Sequence, residues 1–513
     1  MFELRLEVPS RDSAVLRGPH YGPDEGAAPT ILAVTPYGAD RFHAAGVFFA
    51  SRGFHFVGLD VRGRGDSDGE FVPFLNDGLD GYDAVEWLAR QPWSNGDVVM
   101  YGGSYCGFVQ WATAAQQPPS LRAIAPAAAV CPGVDCPGLR NVPYAYIVRW
   151  LSAVNGRRMN TGPFEDAGLW FGGVRRQLAT GRPYRDLDVV STGMRLPVFQ
   201  EWLNHPEQDA YWDQFVPTRF EEITLPTLTT TGQYDGDQAG ALAYHDRHVT
   251  ANPAEVVNRH HVVIGPWDHA ATRSGANSFS GLTFAESSRL DLQSLHADWY
   301  SWVLGNGPRP DLLADRVVYF HIGEDRWRSA PHLPGGTKEL TLQVGGPAKI
   351  ILDPDQAPDE PDEENPYLRT GLSTAHVTEP LDVLDIAGRP AVRLLLSSDL
   401  PDFDLLVGLY LLRGTSPARW LGEMPLRARY RDSLREATPW PSGVDVPVTV
   451  PDLPFISLRT EPGDRLAVVV EQPDRRWQVN QQAGGSAFDE AATDAVVGTV
   501  WLVAGPELVL PVE

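Results

Sequence analysis

The stretch VVMYGGSYCG at residues 98–107 decides how the rest of the chain is organised. A short β-branched run ends in two glycines, a serine follows, and apolar residues at helical spacing come next. This order predicts a strand, a sharp turn and a helix, with the hydroxyl of Ser104 exposed at the turn as a candidate nucleophile. In the common G-x-S-x-G pattern a glycine stands two places after the serine. Here that place holds Cys106, and Gly107 follows it.

Strands and helices alternate on both sides of this stretch. Continuous apolar runs, typical of strands covered on both faces, alternate with amphipathic helical segments. This alternation predicts a mostly parallel sheet with helices on both faces, which is an α/β fold. The predicted strands cover residues 30–35, 54–59, 98–101, 121–125, 227–232 and 261–265, and the predicted helices cover 47–50, 78–90, 239–248 and 288–304.

Two other regions have different patterns. Helical windows rich in aromatic residues, without clear strands, predict an all-helical cap insertion over residues 141–222. Later in the chain helical periodicity disappears, and short strand-like segments such as 317–322 predict a jelly-roll β-sandwich. The acidic, proline-rich segment 353–366 is predicted to be an exposed loop. We therefore expect an α/β domain over 1–140 and 223–312, the cap over 141–222, and the sandwich over 313–513.

Charge and composition exclude several classes of protein. The 513 residues include 66 acidic and 42 lysine or arginine residues, for a formal net charge of −24. A nucleic-acid partner is therefore not expected, because it requires a basic face. No apolar run reaches about 18 residues, so neither a membrane span nor a secretory leader is predicted. Three cysteines do not make a disulfide framework, which favours a reducing, cytoplasmic location.

A nucleophilic serine needs a base within hydrogen-bond reach and a carboxylate that orients the base. In doubly wound hydrolases the acid and the histidine follow later strands, in that order. Strand 227–232 leads into Asp235, and strand 261–265 leads into His269. Since the carboxyl ends of parallel strands meet at one edge of a sheet, we expect both side chains near Ser104.

Other titratable residues remain as alternatives. Asp237 lies two places beyond Asp235 and is a second candidate for orienting the histidine. His245 and His248 are three residues apart on a predicted helix and could form half of a metal site. The sequence suggests no third ligand for them, so we predict neither a metal nor an organic cofactor.

The reaction also needs donors for the oxyanion that develops on the substrate. One is expected to be the backbone N–H of Tyr105, the residue after the nucleophile. The other should come from the loop after strand 30–35, which has no glycine-rich donor run but contains Tyr37, whose phenol could donate. The alternative for Tyr37 is a packed loop tyrosine.

Several motifs, in this order, resemble the cocaine-esterase and X-prolyl dipeptidyl-peptidase family, also called the CocE/NonD hydrolases. Each motif alone is weak, but the likeness spans nearly the whole chain. The motifs are Pro36-Tyr37, DVRGRG (60–65), GGSYCG (102–107), WLNHPEQDAYW (202–212), YDG (234–236) and GPWDH (265–269).

The resemblance implies an α/β-hydrolase fold with a helical insert and a C-terminal jelly roll. It also implies a triad on Ser104, Asp235 and His269, and an oxyanion hole on the hydroxyl of Tyr37 and the amide of Tyr105. Members of the family cleave acyl esters, α-amino-acid esters and amides, or dipeptides from X-Pro N-termini. We therefore expect a serine hydrolase that cleaves small esters or amides, and X-Pro dipeptidyl-peptidase activity is the alternative. A non-catalytic binding protein of the same fold is the alternative from another class.

The sequence departs from the family pattern after the YDG motif. Relatives carry an apolar or aromatic residue there, whereas this chain has Asp237. Either Asp237 points to solvent, or it places a carboxylate near the substrate and favours a cationic one. The aromatic cap residues Trp150 and Trp212 are candidate pocket walls. The expected partner is a small-molecule ester, amide or short peptide, and homo-oligomer formation is left open.

Overall fold

The first part of the chain forms one half of a large mixed sheet. The structure is a computed structural model and describes residues 1–361, 365–372 and 374–513. The inner strands of this half are buried along nearly their whole length, as strands covered by helices on both faces must be. The elements are β1 (Phe2–Pro9), β2 (Val15–Tyr21), β3 (Ala28–Thr35), α1 (His43–Ser51), β4 (His55–Asp60), α2 (Asp77–Ala89), β5 (Ser94–Gly103), α3 (Tyr105–Ala114) and β6 (Leu121–Ala127).

A hairpin of two short strands follows β6 and begins just before the predicted cap (141–222), and the described elements of the cap after the hairpin are helices. Asp166 and Asp209 begin two of these helices by accepting backbone N–H groups with their side chains. The hairpin strands are β7 (Gly138–Leu139) and β8 (Val142–Pro143), and the helices described in the cap are α4 (Tyr146–Val154), α5 (Gly162–Glu165), α6 (Ala167–Ala179), α7 (Leu187–Thr192), α8 (Pro197–Leu203) and α9 (Ala210–Asp213).

The chain then returns to complete the sheet, which has ten strands in the order β1-β2-β4-β3-β5-β6, followed by four more. Pairing is parallel through the centre of the sheet and antiparallel at both edges. The returning elements are β9 (Thr227–Tyr234), α10 (Gln238–Ala251), α11 (Ala254–Val257), β10 (His260–Asp268), α12 (Ala271–Ser274), β11 (Ser278–Phe279), β12 (Leu282–Thr283), α13 (Leu292–Val303), β13 (Val317–His321) and β14 (Arg326–Ala330). The sheet continues from β6 in the order β9-β10-β13-β14.

The strand pairing of β13 and β14 differs from the prediction. Residues 317–322 are expected in the sandwich, but β13 pairs in parallel with β10, and β14 pairs with β13 at the edge of the α/β sheet. All five residues of β13 are buried. A short, fully buried strand has the same sequence pattern in either kind of sheet, so the pattern could not distinguish them.

The remaining strands form the predicted jelly-roll sandwich, and every pairing in its two sheets is antiparallel among the described residues. Apolar side chains of both sheets, such as Leu394 and Val468, share one core. The strands are β15 (Lys338–Gln343), β16 (Ala348–Leu352), β17 (Leu368–Arg369), β18 (Ala375–Val377), β19 (Asp385–Gly388), β20 (Ala391–Ser398), β21 (Asp404–Leu412), β22 (Ala418–Arg427), β23 (Val446–Val450), β24 (Ile456–Arg459), β25 (Arg465–Glu471), β26 (Gly498–Leu502) and β27 (Glu507–Val512).

The acidic segment 353–366 is less exposed than predicted. Pro354 and Ala357 are buried, and Glu360 forms an ion pair with Arg175 of the cap. Residues 362–364 of this segment lie outside the described residues. In the part of the chain that the structure describes, no helix combines the length and the apolar character needed to cross a membrane.

Candidate active site

Ser104 lies at the turn between β5 and α3, at the carboxyl edge of the sheet. Its backbone adopts φ 62° and ψ −124°, a conformation that is costly for a residue with a side chain. The turn is held by the Ser104 N–H, which donates to the carbonyl of Ala127 at 2.9 Å. The strand-turn-helix prediction for residues 98–107 is therefore confirmed.

Close packing explains the unusual glycine spacing around Ser104. Gly102 has φ 130°, and a Cβ there would lie 2.7 Å from the Cβ of Cys106. A Cβ on Gly107 would lie 2.8 Å from the Cβ of Ala129. Such approaches are shorter than real side chains permit, so α3 needs a glycine at 107, while position 106 accommodates a buried side chain.

Asp235 and His269 lie at the same edge and are hydrogen-bonded to each other. Asp235 follows β9, and its Oδ1 lies 2.8 Å from Nδ1 of His269, which follows β10. The hydroxyl of Thr231 and the backbone N–H of Asp237 also donate to Asp235, at 2.8 and 3.0 Å. These bonds favour the ionised carboxylate, and they fix the histidine tautomer with the proton on Nδ1 and a lone pair on Nε2.

Arg273 occupies that lone pair. It lies on α12, four residues after His269, and its Nη2 donates to Nε2 of His269 at 2.9 Å. The hydroxyl of Ser104 lies instead 3.4 Å from the hydroxyl of Tyr37. In this conformation the serine and the histidine are therefore brought to one site while Arg273 holds the acceptor atom.

Asp237 lines the site, and its side chain is 24% exposed. Its Oδ2 lies 3.7 Å from Nδ1 of His269. Burial raises the pKa of Asp237 to about 6, although the nearby imidazole opposes this shift. Burial lowers the pKa of His269, but the carboxylates of Asp237 and Asp235 outweigh it, so the net pKa of the imidazole is raised.

The hydroxyl of Tyr37 is held beside Ser104 by the cap. Nε1 of Trp150, on α4, donates to the Tyr37 hydroxyl at 3.2 Å. Because Trp150 supplies a donor, the Tyr37 proton remains free to point toward a substrate oxygen. Burial raises the pKa of Tyr37 to about 12, so this proton is retained at neutral pH.

Arg64, the second arginine of the DVRGRG motif, connects the Tyr37 loop to the cap. Its buried guanidinium donates to the carbonyl of Pro36 at 2.8 Å and to the carbonyl of Val154 at 2.7 Å. The first contact fixes the loop that carries Tyr37, and the second fixes the end of the helix that carries Trp150. The motif therefore aligns the tyrosine with its tryptophan partner.

Tyr105 is the first residue of α3, so its backbone N–H has no partner within the helix. Its side chain is buried beneath the site, where the hydroxyl donates to Asp77 at 2.8 Å and accepts the N–H of Phe74 at 2.8 Å. Burial raises the pKa of Asp77 to about 7. This network holds the start of α3 in place, next to Ser104.

Two cavities meet at Ser104. The first, here called the acidic cavity, has a volume of about 530 Å³ and lies between the α/β domain, the cap and the sandwich. Such a volume suits a small molecule. Its lining includes Trp150 and the aromatic rings of Tyr144, Tyr367 and Trp420. Its carboxyl groups belong to Asp135, Asp235, Asp237, Asp268 and Glu423, and the guanidinium of Arg476 is also present.

The second cavity, here called the arginine cavity, has a volume of about 480 Å³ and shares Ser104 and His269 with the first. It opens between the Tyr37 loop, the cap and α12. Arg41 and Arg273 line it, and among the described residues of its lining there is no carboxylate. The charges on the two sides of Ser104 are therefore opposite in sign.

One predicted pocket residue lies elsewhere. The prediction that Trp212 forms a wall of the substrate pocket is wrong. Its indole is buried in the cap, packs against Trp202 and donates to the carbonyl of His205 at 2.9 Å. An aromatic residue in a helical window has the same pattern whether it faces a core or a cavity. His245 and His248 are also buried, and the described residues contain no cluster suited to a metal ion.

Several residues at the site were missed by the sequence analysis. Arg273 follows His269 by four positions, and this helical spacing is a signal that could have revealed it. Asp135 accepts the N–H groups of Cys131 and Gly240 at 2.8 and 2.7 Å. Glu423 lies on strand β22 of another domain, so no local pattern could have placed it at the site.

Two glutamines attach the sandwich to the loop that carries Asp235. The side chain of Gln233 accepts the N–H of Ser457 at 2.8 Å. The side chain of Gln238 accepts the N–H of Phe455 at 2.6 Å. Both glutamines are buried, and they stand on either side of Asp235 in the chain.

Comparisons with known proteins agree with this architecture. Residues 12–271 match the family model of the X-Pro dipeptidyl-peptidase (S15 family), and residues 314–494 match that of the X-Pro dipeptidyl-peptidase C-terminal non-catalytic domain. The cocaine esterase of Rhodococcus sp. (strain MB1 Bresler) is 26% identical over 98% of this chain and 97% of that protein.

Solved structures share the whole fold. An α-amino acid ester hydrolase superimposes with a TM-score of 0.87 at 20% identity, covering 100% of this chain and 96% of the other. An aminopeptidase from the marine sediment archaeon Thaumarchaeota archaeon superimposes with a TM-score of 0.86 at 19% identity, covering 99% and 96%. The predicted α/β-hydrolase fold with a C-terminal β-domain is confirmed. Since the first family model covers more than half of the 513 residues, the chain belongs to the X-Pro dipeptidyl-peptidase (S15) family of serine esterases and peptidases.

Proposed function

We propose that the protein hydrolyses small esters or amides through an acyl-enzyme on Ser104, with His269 as base and Asp235 as its orienting carboxylate. The observation that carries this proposal is the 2.8 Å bond between Asp235 and Nδ1 of His269, which makes Nε2 the acceptor atom of a histidine that lines the same cavities as Ser104. The hydroxyl of Tyr37 and the N–H of Tyr105 supply the oxyanion hole.

The chemistry follows from these positions. As the Oγ of Ser104 bonds to the acyl carbon, its proton passes to Nε2 of His269. The negative charge on the carbonyl oxygen is stabilised by the Tyr37 hydroxyl and the Tyr105 amide. The imidazolium, stabilised by Asp235 and Asp237, then gives its proton to the leaving oxygen or nitrogen as the bond to the acyl carbon breaks. Water regenerates Ser104 by the same route, with His269 again as the base.

The carboxyl groups of the acidic cavity favour a substrate whose acyl part carries a positive charge. Asp237 faces this cavity beside His269, and Asp135 and Glu423 add carboxyl groups. A cation in this partly desolvated site would pair with a carboxylate and stabilise its ionised form. A free α-amino group is the simplest such cation, in line with the relatives named as an α-amino acid ester hydrolase and an aminopeptidase.

X-Pro dipeptidyl-peptidase activity is the second candidate, favoured by the family model. The same carboxyl groups could bind the free N-terminus of a peptide. A panel of p-nitrophenyl esters, with and without an α-amino group, assayed beside Gly-Pro and Ala-Pro anilides, separates the two activities. Turnover of esters without turnover of the anilides supports the first proposal, and the reverse result supports the second.

A fluorophosphonate probe tests the nucleophile. We expect it to label the folded wild-type protein and to leave Ser104→Ala unlabelled, because only an activated serine reacts with it. If the folded wild-type protein is not labelled and the whole panel is inert, the protein is a binding protein of this fold and the proposal is wrong.

A further inference from the structure

Arg273 blocks the atom that the proposed reaction needs. A neutral histidine with its proton on Nδ1 has one lone pair, on Nε2, and Arg273 donates to that lone pair at 2.9 Å. Ser104 cannot pass its proton to Nε2 while the guanidinium stays there. A positive charge at this place also opposes formation of the imidazolium, and Arg273 lowers the pKa of His269 where Asp237 and Asp235 raise it.

The position of Arg273 indicates which part of a substrate would meet it. As the tetrahedral intermediate collapses to the acyl-enzyme, the imidazolium must give its Nε2 proton to the departing oxygen or nitrogen. The leaving group therefore lies next to Nε2, on the side where Arg273 now lies. The acyl part lies on the other side of Ser104, toward Asp237 and the acidic cavity.

The cavity that Arg273 lines contains no carboxylate among its described residues, and the carboxylate that its charge does reach, Asp237, lies in the acidic cavity beyond His269. Within the described residues, neither Arg273 nor Arg41 forms an ion pair, and no carboxylate lines their cavity. In a chain with 66 acidic and 42 lysine or arginine residues, this is a local reversal of the overall charge. A guanidinium without a carboxylate, facing a cavity, is suited to a bidentate contact with a carboxylate from outside.

We propose that Arg273 binds a carboxylate carried by the leaving group of the substrate, and that this contact draws the guanidinium away from Nε2 of His269. The proposal rests on the proposed function, because it assigns the leaving group of that same reaction. Binding of a carboxylate then both positions the substrate and frees the lone pair for the proton of Ser104. Arg41, at the rim of the same cavity, adds a second positive charge.

Two aryl esters with the same acyl group test the proposal. One has a meta-carboxyphenyl leaving group and the other a meta-carbamoylphenyl leaving group, which is similar in shape but neutral. The neutral group is the more electron-withdrawing, so intrinsic reactivity favours its ester. We expect the wild-type protein to prefer the carboxylate ester by about 10-fold to 100-fold in kcat/KM, the range of a charge-assisted hydrogen bond.

Variants identify the residue responsible. Arg273→Gln should lose the preference for the carboxylate ester, and Arg273→Lys should keep part of it, because a lysine retains the charge but not the bidentate geometry. Arg122→Gln is the matched control, since Arg122 is an exposed arginine that pairs with Asp97 away from the site. A third ester pair, with the carboxylate on the acyl side, should show no preference that depends on Arg273.

The outcomes separate this inference from the proposed function. If both esters are hydrolysed but the neutral ester is preferred or equal, the inference is wrong and the hydrolase proposal stands. If neither ester is hydrolysed and Ser104 is not labelled by fluorophosphonate, the hydrolase proposal itself is wrong. Should Arg273→Gln fail to fold, product inhibition of the wild-type protein decides. Stronger inhibition by meta-hydroxybenzoate than by meta-hydroxybenzamide supports the inference, and equal inhibition overturns it.

Discussion

Oδ2 of Asp237 lies 3.7 Å from Nδ1 of His269, the same nitrogen that bonds Asp235 at 2.8 Å. Two carboxylates therefore act on one imidazole. Asp235 supplies the hydrogen bond, whereas Asp237 lies beyond hydrogen-bond distance and acts through its charge. Asp235 and Asp237, the two alternative orienting acids in the sequence, therefore both act on His269, one through a hydrogen bond and the other through its charge.

Replacing Asp237 by asparagine should change the pH dependence of the reaction. In the proposed reaction His269 must be neutral to accept a proton, so kcat/KM is expected to rise as pH passes upward through the pKa of His269. Asp237 raises that pKa, so Asp237→Asn should lower it and move the acidic limb of the kcat/KM profile to lower pH. Asp298→Asn, on an exposed part of α13, is the control. An acidic limb that stays in place would show that Asp237 does not act on the base.

The same variant should also change substrate preference. Asp237→Asn removes a charge from the acidic cavity, so the ratio of kcat/KM for an α-amino ester over its neutral analogue should fall, by about 10-fold for the loss of one charged contact. The comparison uses two p-nitrophenyl esters that differ only in the amino group. An unchanged ratio would mean that Asp237 does not contact the substrate.

The indole of Trp150 should affect the reaction only through Tyr37. Tyr37→Phe removes a proposed oxyanion donor and should lower kcat by about 100-fold to 1,000-fold. Trp150→Phe keeps an aromatic ring but loses the donor to the Tyr37 hydroxyl, and should lower kcat by about 5-fold. In the double variant the second substitution should have no further effect. Additive losses would indicate that Trp150 contacts the substrate directly.

Gly107 should be essential to the packing of the turn. Gly107→Ala places a Cβ against Ala129 and should destabilise the α/β domain by about 1–3 kcal/mol. Thermal unfolding followed by circular dichroism measures the loss. Gly335→Ala is the control, because a Cβ there meets no atom within 4 Å. Equal melting temperatures for the two variants would contradict this account of the glycine spacing.

Cys106, two residues after Ser104, should be unreactive in the folded protein. Burial raises the pKa of the Cys106 thiol to about 11 and that of Cys131 to about 12, and all three cysteines are buried. Ellman's reagent should therefore modify no thiol in the folded protein and leave activity unchanged, and should titrate all three after denaturation. Loss of activity in the folded state would show that Cys106 is accessible.

Local and topological rules made much of the fold predictable. The strand before Ser104 and the helix after it could be predicted because the pattern of each lies within one continuous stretch of sequence. Asp235 and His269 could be placed at one edge because each follows a buried parallel strand, and strand ends are brought together by the sheet itself. The spacing and order of these three residues carried the prediction.

What could not be predicted depends on tertiary contacts between residues that are distant in sequence or on different elements. Nothing near Glu423 or Arg476 in sequence shows that these sandwich residues line a cavity beside Ser104. β13 pairs with β10, a strand that precedes it by about 50 residues, and its own sequence does not indicate this partner. The position of Trp212 depends on how the cap helices pack against each other. In each case the local pattern is compatible with two environments, and only tertiary packing selects one.

The glutamines on either side of Asp235 have a consequence for building hybrids of related proteins. Each bonds a backbone N–H of the sandwich more than 200 positions along the chain, with separations of 224 and 217 residues. A sandwich transplanted from a relative would bring its own backbone to these two side chains. The protein from which the β-domain is taken would then determine how well Asp235 is positioned against His269. A domain that contributes no residue to the proposed triad would therefore affect the rate of the hybrid.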